Sequence, residues 1–248
     1  MICPQNMIKL SVIIPAYNEE KRIEKTLRAV DSYLEKQNFG YEIIVIDNNS
    51  KDKTFEVVRK LETTTVQNAR AIKQWVRGKG AAVQLGIAEA RGEFAVFMDA
   101  DNATPISEIE KFWQYLESGI EVVIGSRYQD QTTVKIKQPF YKILLSRMSN
   151  MLIQIVLIPH IKDTQCGFKA FKTSAATKIF KHLTIFGWAF DMELLAIALK
   201  LSYRIKEVPV SWEEHGGSHV PLKAYLQSLR DLFIIKWKAL TGKYSSNE

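Results

Sequence analysis

Cysteine is nearly absent from this chain: there are two in 248 residues, Cys3 and Cys166, far apart in sequence. That excludes a disulfide framework and a Cys-x-x-Cys zinc module, and it fits a reducing, cytosolic compartment. Long apolar runs are missing too. The longest uncharged stretch, Met148 to Ile161, is interrupted by Ser149, Asn150, Gln154 and Pro159 and falls short of the roughly 20 apolar residues a spanning helix needs. No basic flank, apolar run and small-residue cleavage site succeed one another as in a secretory signal. With no fixed-period repeat, low-complexity tract or Pro/Gly/Ser-rich linker, one continuous domain over residues 1–248 is the simplest parse.

What is present suffices for a core, with 46% hydrophobic and 25% charged residues. The formal charge of +7 points to an anionic partner: a nucleotide diphosphate, a phospholipid surface or nucleic acid. No helix-turn-helix, RNP-type aromatic pair or zinc module accompanies that charge, which argues against nucleic acid.

Short apolar runs rich in β-branched residues predict strands at Leu10–Pro15, Glu42–Asp47, Ala69–Lys73, Phe94–Asp99 and Val122–Ser126. Helical patterns separate them at Lys21–Leu34, Thr54–Glu62, Ala81–Ala90 and Ser107–Leu116. Strands apolar on both faces and separated by helices predict an α/β fold, an open and mainly parallel sheet flanked by helices. Further on, helical signal covers Pro139–Pro159, Thr173–Lys181 and Asp191–Leu201, followed by a strand at Tyr203–Ser211 and a helix from Pro221 to Leu240. This second half is expected to form the wall of a substrate site instead of extending the core.

Ligands of open parallel sheets bind outside the carboxyl ends of the strands. Three predicted strand ends deliver acids there: Pro15-Ala16-Tyr17-Asn18-Glu19, Asp47-Asn48-Asn49-Ser50 and Asp99-Ala100-Asp101. Acids after strands also cap the next helix, and Asp52 and Ser107 suit that simpler role. Gathering Glu19, Asp47, Asp99 and Asp101 is costly unless cations or donors offset their charge. Asp99 and Asp101, two apart, can project to one side, an arrangement suited to a hard divalent cation such as Mg²⁺ or Mn²⁺ that neutralises a diphosphate. Arg77-Gly78-Lys79-Gly80 precedes a helix and favours an anion, although it is not a Walker A loop and also reads as a plain basic turn.

These residues resemble the inverting, family 2 glycosyltransferases of GT-A fold. The matching runs are Val12-Ile13-Ile14-Pro15-Ala16-Tyr17-Asn18-Glu19-Glu20, Val45-Ile46-Asp47-Asn48-Asn49-Ser50-Lys51-Asp52-Lys53-Thr54, Gly78-Lys79-Gly80, Met98-Asp99-Ala100-Asp101 and Gly125-Ser126-Arg127-Tyr128. Asp163-Thr164-Gln165-Cys166-Gly167-Phe168-Lys169 and Trp188-Ala189-Phe190-Asp191-Met192-Glu193-Leu194 are similar to the polyprenyl-phosphate branch, above all its dolichyl-phosphate β-glucosyltransferases. The resemblance implies that residues 8–128 form a nucleotide-sugar-binding half and 129–240 an acceptor half with interfacial helices. It implies that Pro15, Tyr17, Glu19 and Asp47 hold the nucleoside with Lys79 nearby. It also implies that Asp99 supports ribose or metal, and that Asp101 is the principal metal ligand. Arg127 and Arg147 would grip the lipid phosphate, with Asp191 near the reacting centre. Two departures stand out: Asn48 replaces an expected acid, and Ala103 replaces the Gln that helps bind metal in mannosyltransferase relatives.

A monophosphate acceptor has a second pKa of about 6 and is already ionised at neutral pH, so it needs no strong base. Asp191 would then order the site. A hydroxyl acceptor would require it as general base, worth roughly 10²–10⁴-fold, and a bland alternative makes it the cap of a helix over Met192–Leu201. Phe140, Ile143, Leu144, Met148, Met151, Leu152, Ile155 and Val156, flanked by Lys142 and Arg147, form a helical stripe suited either to a membrane interface or to the core. Leu222, Tyr225, Leu226, Leu229, Phe233, Trp237 and Leu240, with Lys223, Arg230, Lys236 and Lys238, form a basic amphipathic pattern suited to anionic headgroups. His215 and His219 flank Gly216-Gly217, which favours a mobile loop over a zinc site, and Cys166 reads as a small buried side chain.

The sequence therefore predicts a metal-dependent inverting transferase, peripheral at the cytosolic face of a membrane. It moves a hexose, foremost glucose from UDP-glucose, to a dolichyl or undecaprenyl phosphate. A GDP-mannose enzyme, a transferase acting on a saccharide hydroxyl and a non-catalytic nucleotide-binding module are the alternatives.

Overall fold

The computed structural model describes residues 7–128, 134–135, 150–213 and 222–244. Its first half alternates strand and helix: β1 (Ile8–Ala16), α1 (Ile23–Leu34), β2 (Gly40–Asp47), α2 (Thr54–Thr64), β3 (Ala69–Lys73), α3 (Lys79–Glu89) and β4 (Phe94–Phe97). A short 3-10 turn (Ile106–Ile109) leads into α4 (Glu110–Glu117) and β5 (Val122–Ser126). The two-residue strand β6 (Val134–Lys135), helical residues 150–156 (α5), β7 (Lys169–Lys172), α6 (Thr173–Lys181) and α7 (Phe190–Lys200) come next. The chain continues through β8 (Ile205–Pro209), β9 (Trp212–Glu213) and α8 (Leu222–Leu240).

Seven strands form one sheet in the order β3-β2-β1-β4-β7-β5-β8. Every pairing is parallel except those of β7, which runs antiparallel between β4 and β5. Alternation along the strands divides the core. Val12, Ile14, Ile43 and Val45 face α1, α2 and α4, whereas Ile13, Ile44, Ile46 and Phe97 face α3, α6, α7 and α8. Each such fully buried aliphatic side chain contributes about 1.5–3 kcal/mol, so both helical layers are held firmly to the sheet.

The five predicted strands and the helices between them are present. The expectation that the second half would only wall the site is corrected: β7 and β8 belong to the sheet. Apolar Ala170 and Phe171 are buried within β7, but four residues framed by Lys169 and Lys172 give too short a period to reveal a strand. By inserting between β4 and β5, β7 brings the preceding segment, residues 163–168, against the ends of both.

Candidate active site

The loops after β1 and β2 are bolted together by the polar residues of the sequence motifs. Asn18 and Asn49 adopt left-handed backbone, at φ 57° and 62°, a conformation asparagine tolerates. The Asn18 amide donates to Ser50 Oγ at 3.0 Å, and Asn18 Oδ1 accepts from the Lys51 amide at 2.8 Å. The Glu19 amide donates to Thr54 Oγ1 at 2.8 Å, the Glu20 amide to Asp52 Oδ2 at 3.1 Å, and the Lys53 amide to Glu20 Oε2 at 2.9 Å. The Glu19 carboxylate is held by both Nε and Nη2 of Arg22, at 2.7 and 2.8 Å. Much of what reads as a ligand-binding motif is thus a clamp that fixes the loops a ligand would meet.

Asp47 lies on the floor between these loops, buried, and among the described residues its Oδ1 has no hydrogen-bond partner. A buried acceptor left open is costly, so this oxygen can take a donor group, from a ligand or from water. Asn48 beside it is fully used: Nδ2 donates to the Val76 carbonyl at 2.7 Å, and Oδ1 accepts from the Gly78 amide at 2.8 Å. A carboxylate cannot make the first of these bonds, which gives the departure at Asn48 a structural reason.

Gly78 has φ 126°, and a Cβ there would overlap the Phe186 carbonyl. The glycines around Lys79 therefore admit the 185–190 segment of the protein itself. Lys79 pairs with Asp99 Oδ1. Burial alone would lower the Lys79 ammonium, but Asp99, then Asp191 and Asp101, hold it above its ordinary value. One ammonium thus sits among three acids. Gly167 packs so closely on Asp99 that a Cβ would overlap its carboxylate. Asp101 differs from Asp99: among the described residues it forms no ion pair, and its Oδ1 accepts only the Ala103 amide, at 3.0 Å.

On the opposite wall, Arg127 Nε and Nη2 donate to Asp163 Oδ2 and Oδ1 at 2.7 and 2.9 Å. Burial would raise the Asp163 carboxyl, yet the Arg127 charge and hydrogen bonds hold it below the usual carboxylate range. The guanidinium also lies 5.6 Å from the Trp212 ring centroid. Asp191, in the first turn of α7, does not cap that helix, since Ala189 holds the cap position. Its Oδ1 instead accepts from Lys169 Nζ at 2.6 Å. Cys166 is buried, and burial followed by the Asp163 charge pushes its thiol up to about 12, as a non-reactive cysteine requires.

The structure brings Pro15, Tyr17, Glu19, Asp47, Asp99, Asp101 and Arg127 to the carboxyl ends of β1, β2, β4 and β5, with Lys79 at the start of α3 and Asp191 at the start of α7 facing them. Arg147, His215 and His219 lie outside the described residues. Lys169, Asp163 and Gly167 went unassigned in sequence, because their importance depends on β7 being a strand. A cleft of about 450 Å³ opens beside Asp101, lined by Lys21, Arg22, Lys25, Ala103, Trp212 and Glu213 among others. Among the described residues no three His, Cys, Asp or Glu side chains cluster as a ready-made metal cage. A hard cation fits nonetheless, because such ions are commonly held by one or two carboxylates and completed by phosphate and water.

Residues 11–180 match the family described as glycosyl transferase family 2. The chain belongs to that family. This family 2 glycosyltransferase is 37% identical to the human dolichyl-phosphate β-glucosyltransferase over 256 residues, covering 95% of this chain and 77% of the human one. It is also 37% identical to the Saccharomyces cerevisiae dolichyl-phosphate β-glucosyltransferase, covering 97% of this chain and 78% of that one. Among solved structures, glucosyl-3-phosphoglycerate synthase from Mycobacterium tuberculosis in complex with UDP superposes with a TM-score of 0.68 at 20% identity, covering 94% of this chain and 80% of that one. Its complex with Mn²⁺, UDP-glucose and phosphoglyceric acid gives 0.67. Further complexes of that synthase hold Mn²⁺ or Mg²⁺. The GT-A glycosyltransferase fold is thereby established, and a protein that shares it has been crystallised with divalent metal.

Proposed function

We propose that this glycosyltransferase moves glucose from UDP-glucose to a polyprenyl phosphate, with inversion at the anomeric carbon. The observation that carries the reading is the likeness, over nearly the whole chain, to dolichyl-phosphate β-glucosyltransferases. The open Asp47 Oδ1 suits an N–H donor of the base, beneath Pro15, Tyr17 and the Glu19 loop. Mg²⁺ or Mn²⁺ held by Asp101, with Asp99 at its flank, would stabilise the diphosphate leaving group. Lys79 adds a positive charge to the same end of the site. Arg127, fixed by Asp163 and backed by Trp212, presents its remaining N–H groups to the acceptor phosphate. Arg147 is proposed as its companion.

The membrane contact is proposed at α8. Leu229, Phe233, Trp237 and Leu240 form one stripe of that helix and are exposed, Phe233 by 56%, Trp237 by 55% and Leu240 by 71%, whereas Leu232 and Ile235 face the core. Met151 and Ile155 of α5 are exposed as well. Arg230, Lys236 and Lys243 accompany the stripe, the combination an anionic leaflet attracts. Among the described residues no helix is long and apolar enough to cross a membrane. A cytosol-facing, peripheral placement fits these features. The test is incubation with Mg²⁺ or Mn²⁺, a panel of nucleotide sugars and a short polyprenyl phosphate. A glucosyl-phospholipid identified by mass is expected, and no lipid product from any pair would refute the acceptor assignment.

A further inference from the structure

Lys169 is fully buried as the first residue of the central strand β7, opposite Phe97 at the carboxyl end of β4 and Ile124 of β5. Its ammonium donates to Asp191 Oδ1 at 2.6 Å and to the Cys166 carbonyl at 2.6 Å, and lies 5.3 Å from the Phe97 ring centroid. Filling space cannot explain it, because replacing a buried ion pair by apolar residues of similar volume is commonly neutral or stabilising. A buried cation at this point makes sense through what it does to Asp191.

We infer that Lys169 is a positioning residue for sugar transfer: by clamping Asp191 Oδ1 it holds that carboxylate as a fixed anion facing Lys79 and the donor site. Three positive influences meet at Asp191: the Lys169 ammonium, the first turn of α7 and the charge of Lys79. The carboxylate therefore accepts a hydrogen bond from the sugar and orients it, and the nucleophile arrives already ionised. This assignment rests on the phosphate-acceptor reading above and extends it to a residue beyond contact with either substrate. The segment carrying Lys169 also carries Gly167, which abuts Asp99, so β7 sets both flanks of the Lys79 cluster.

A double-mutant cycle tests the inference. Lys169→Met should lower kcat about tenfold while leaving the KM for UDP-glucose within about twofold, as expected of misplacement and not of lost donor binding. In an Asp191→Asn background the same change should cost less than about twofold, since there is no carboxylate left to position. Lys169→Arg should recover part of the loss. The double variant carries no unpaired buried charge, so it remains informative if Lys169→Met alone fails to fold. Multiplicative losses in the cycle, an unaffected Lys169→Met enzyme, or no recovery in Lys169→Arg would overturn the assignment. Reading the cycle in slow UDP-glucose hydrolysis by water as well as in lipid product separates it from the acceptor question. Absence of lipid product in the wild type then refutes the acceptor alone.

Discussion

The two walls of the site treat their acids in opposite ways. At the donor end of the sheet Arg22 holds Glu19, but among the described residues Asp47 keeps one oxygen unpartnered and Asp101 accepts only a backbone amide. Across the cleft every acid of interest is locked: Asp163 by Arg127, Asp191 by Lys169, and buried Glu193 by Tyr244 Oη at 2.7 Å, the Ile185 amide at 2.6 Å and Lys238 at 3.4 Å. Under the proposed function, the open acids are the ones that meet donor and metal, whereas the locked acids shape the chain around them. Asp99 stands between the two, paired with Lys79 yet adjacent to Asp101. The difference teaches that acids at one sheet edge are not equivalent: their hydrogen-bond partners decide which of them are available to a ligand.

The contrast can be broken by removing one acid from each wall. Asp101→Asn should reduce metal-dependent transfer about 10²–10⁴-fold, equivalent to several kcal/mol of leaving-group stabilisation, with global stability unchanged in a thermal melt. Asp163→Asn should do the reverse and act first on folding, because it strands Arg127 in a largely buried position. A loss of about 3–5 kcal/mol in chemical denaturation is expected. Since the folded Asp163 carboxyl is held below its ordinary 3.8, its contribution is present above that pH and lost as pH falls through the depressed value. The wild type should therefore lose stability below about pH 4 more steeply than Asp163→Asn, which already lacks the contribution.

Smaller changes sharpen the boundary between the walls. Gly167→Ala should displace the Asp99 carboxylate and cost about 1–3 kcal/mol of stability, with weaker UDP-glucose binding measured by calorimetry. Phe233→Ser combined with Trp237→Ser should leave folding nearly unchanged, because both side chains are exposed, and weaken binding to anionic vesicles about tenfold. Turnover of a short, water-soluble acceptor by that double variant should match the wild type.

The sheet was legible where period and composition agreed. Val12, Ile13 and Ile14 before Pro15, or Val45 and Ile46 before Asp47, announce a strand apolar on both faces, and their ends announce the site. β7 was not legible, because its four residues begin and end with lysine and its stability comes from neighbours far apart in sequence. The run Asp163–Lys169 stands out by resemblance, but without that strand Lys169, Asp163 and Gly167 have no individual roles. Spacing alone treats Asp99 and Asp101 alike, and the resemblance separates them; the structure adds a physical difference, since Lys79 pairs with Asp99 and not with Asp101. The apolar stripe of α8 was also ambiguous in sequence: Leu232 and Ile235 went to the core, while Phe233 and Trp237 did not.

The most direct test compares Asp101→Asn with Asp191→Asn in one assay, using UDP-glucose, Mn²⁺ and a short polyprenyl phosphate. With an ionised acceptor and a locked Asp191, the second variant should lose less than about 10²-fold in kcat, below the upper range of a general base, while the first loses more. A loss in Asp191→Asn as deep as that in Asp101→Asn, with donor binding intact, would contradict the account and point to a hydroxyl acceptor.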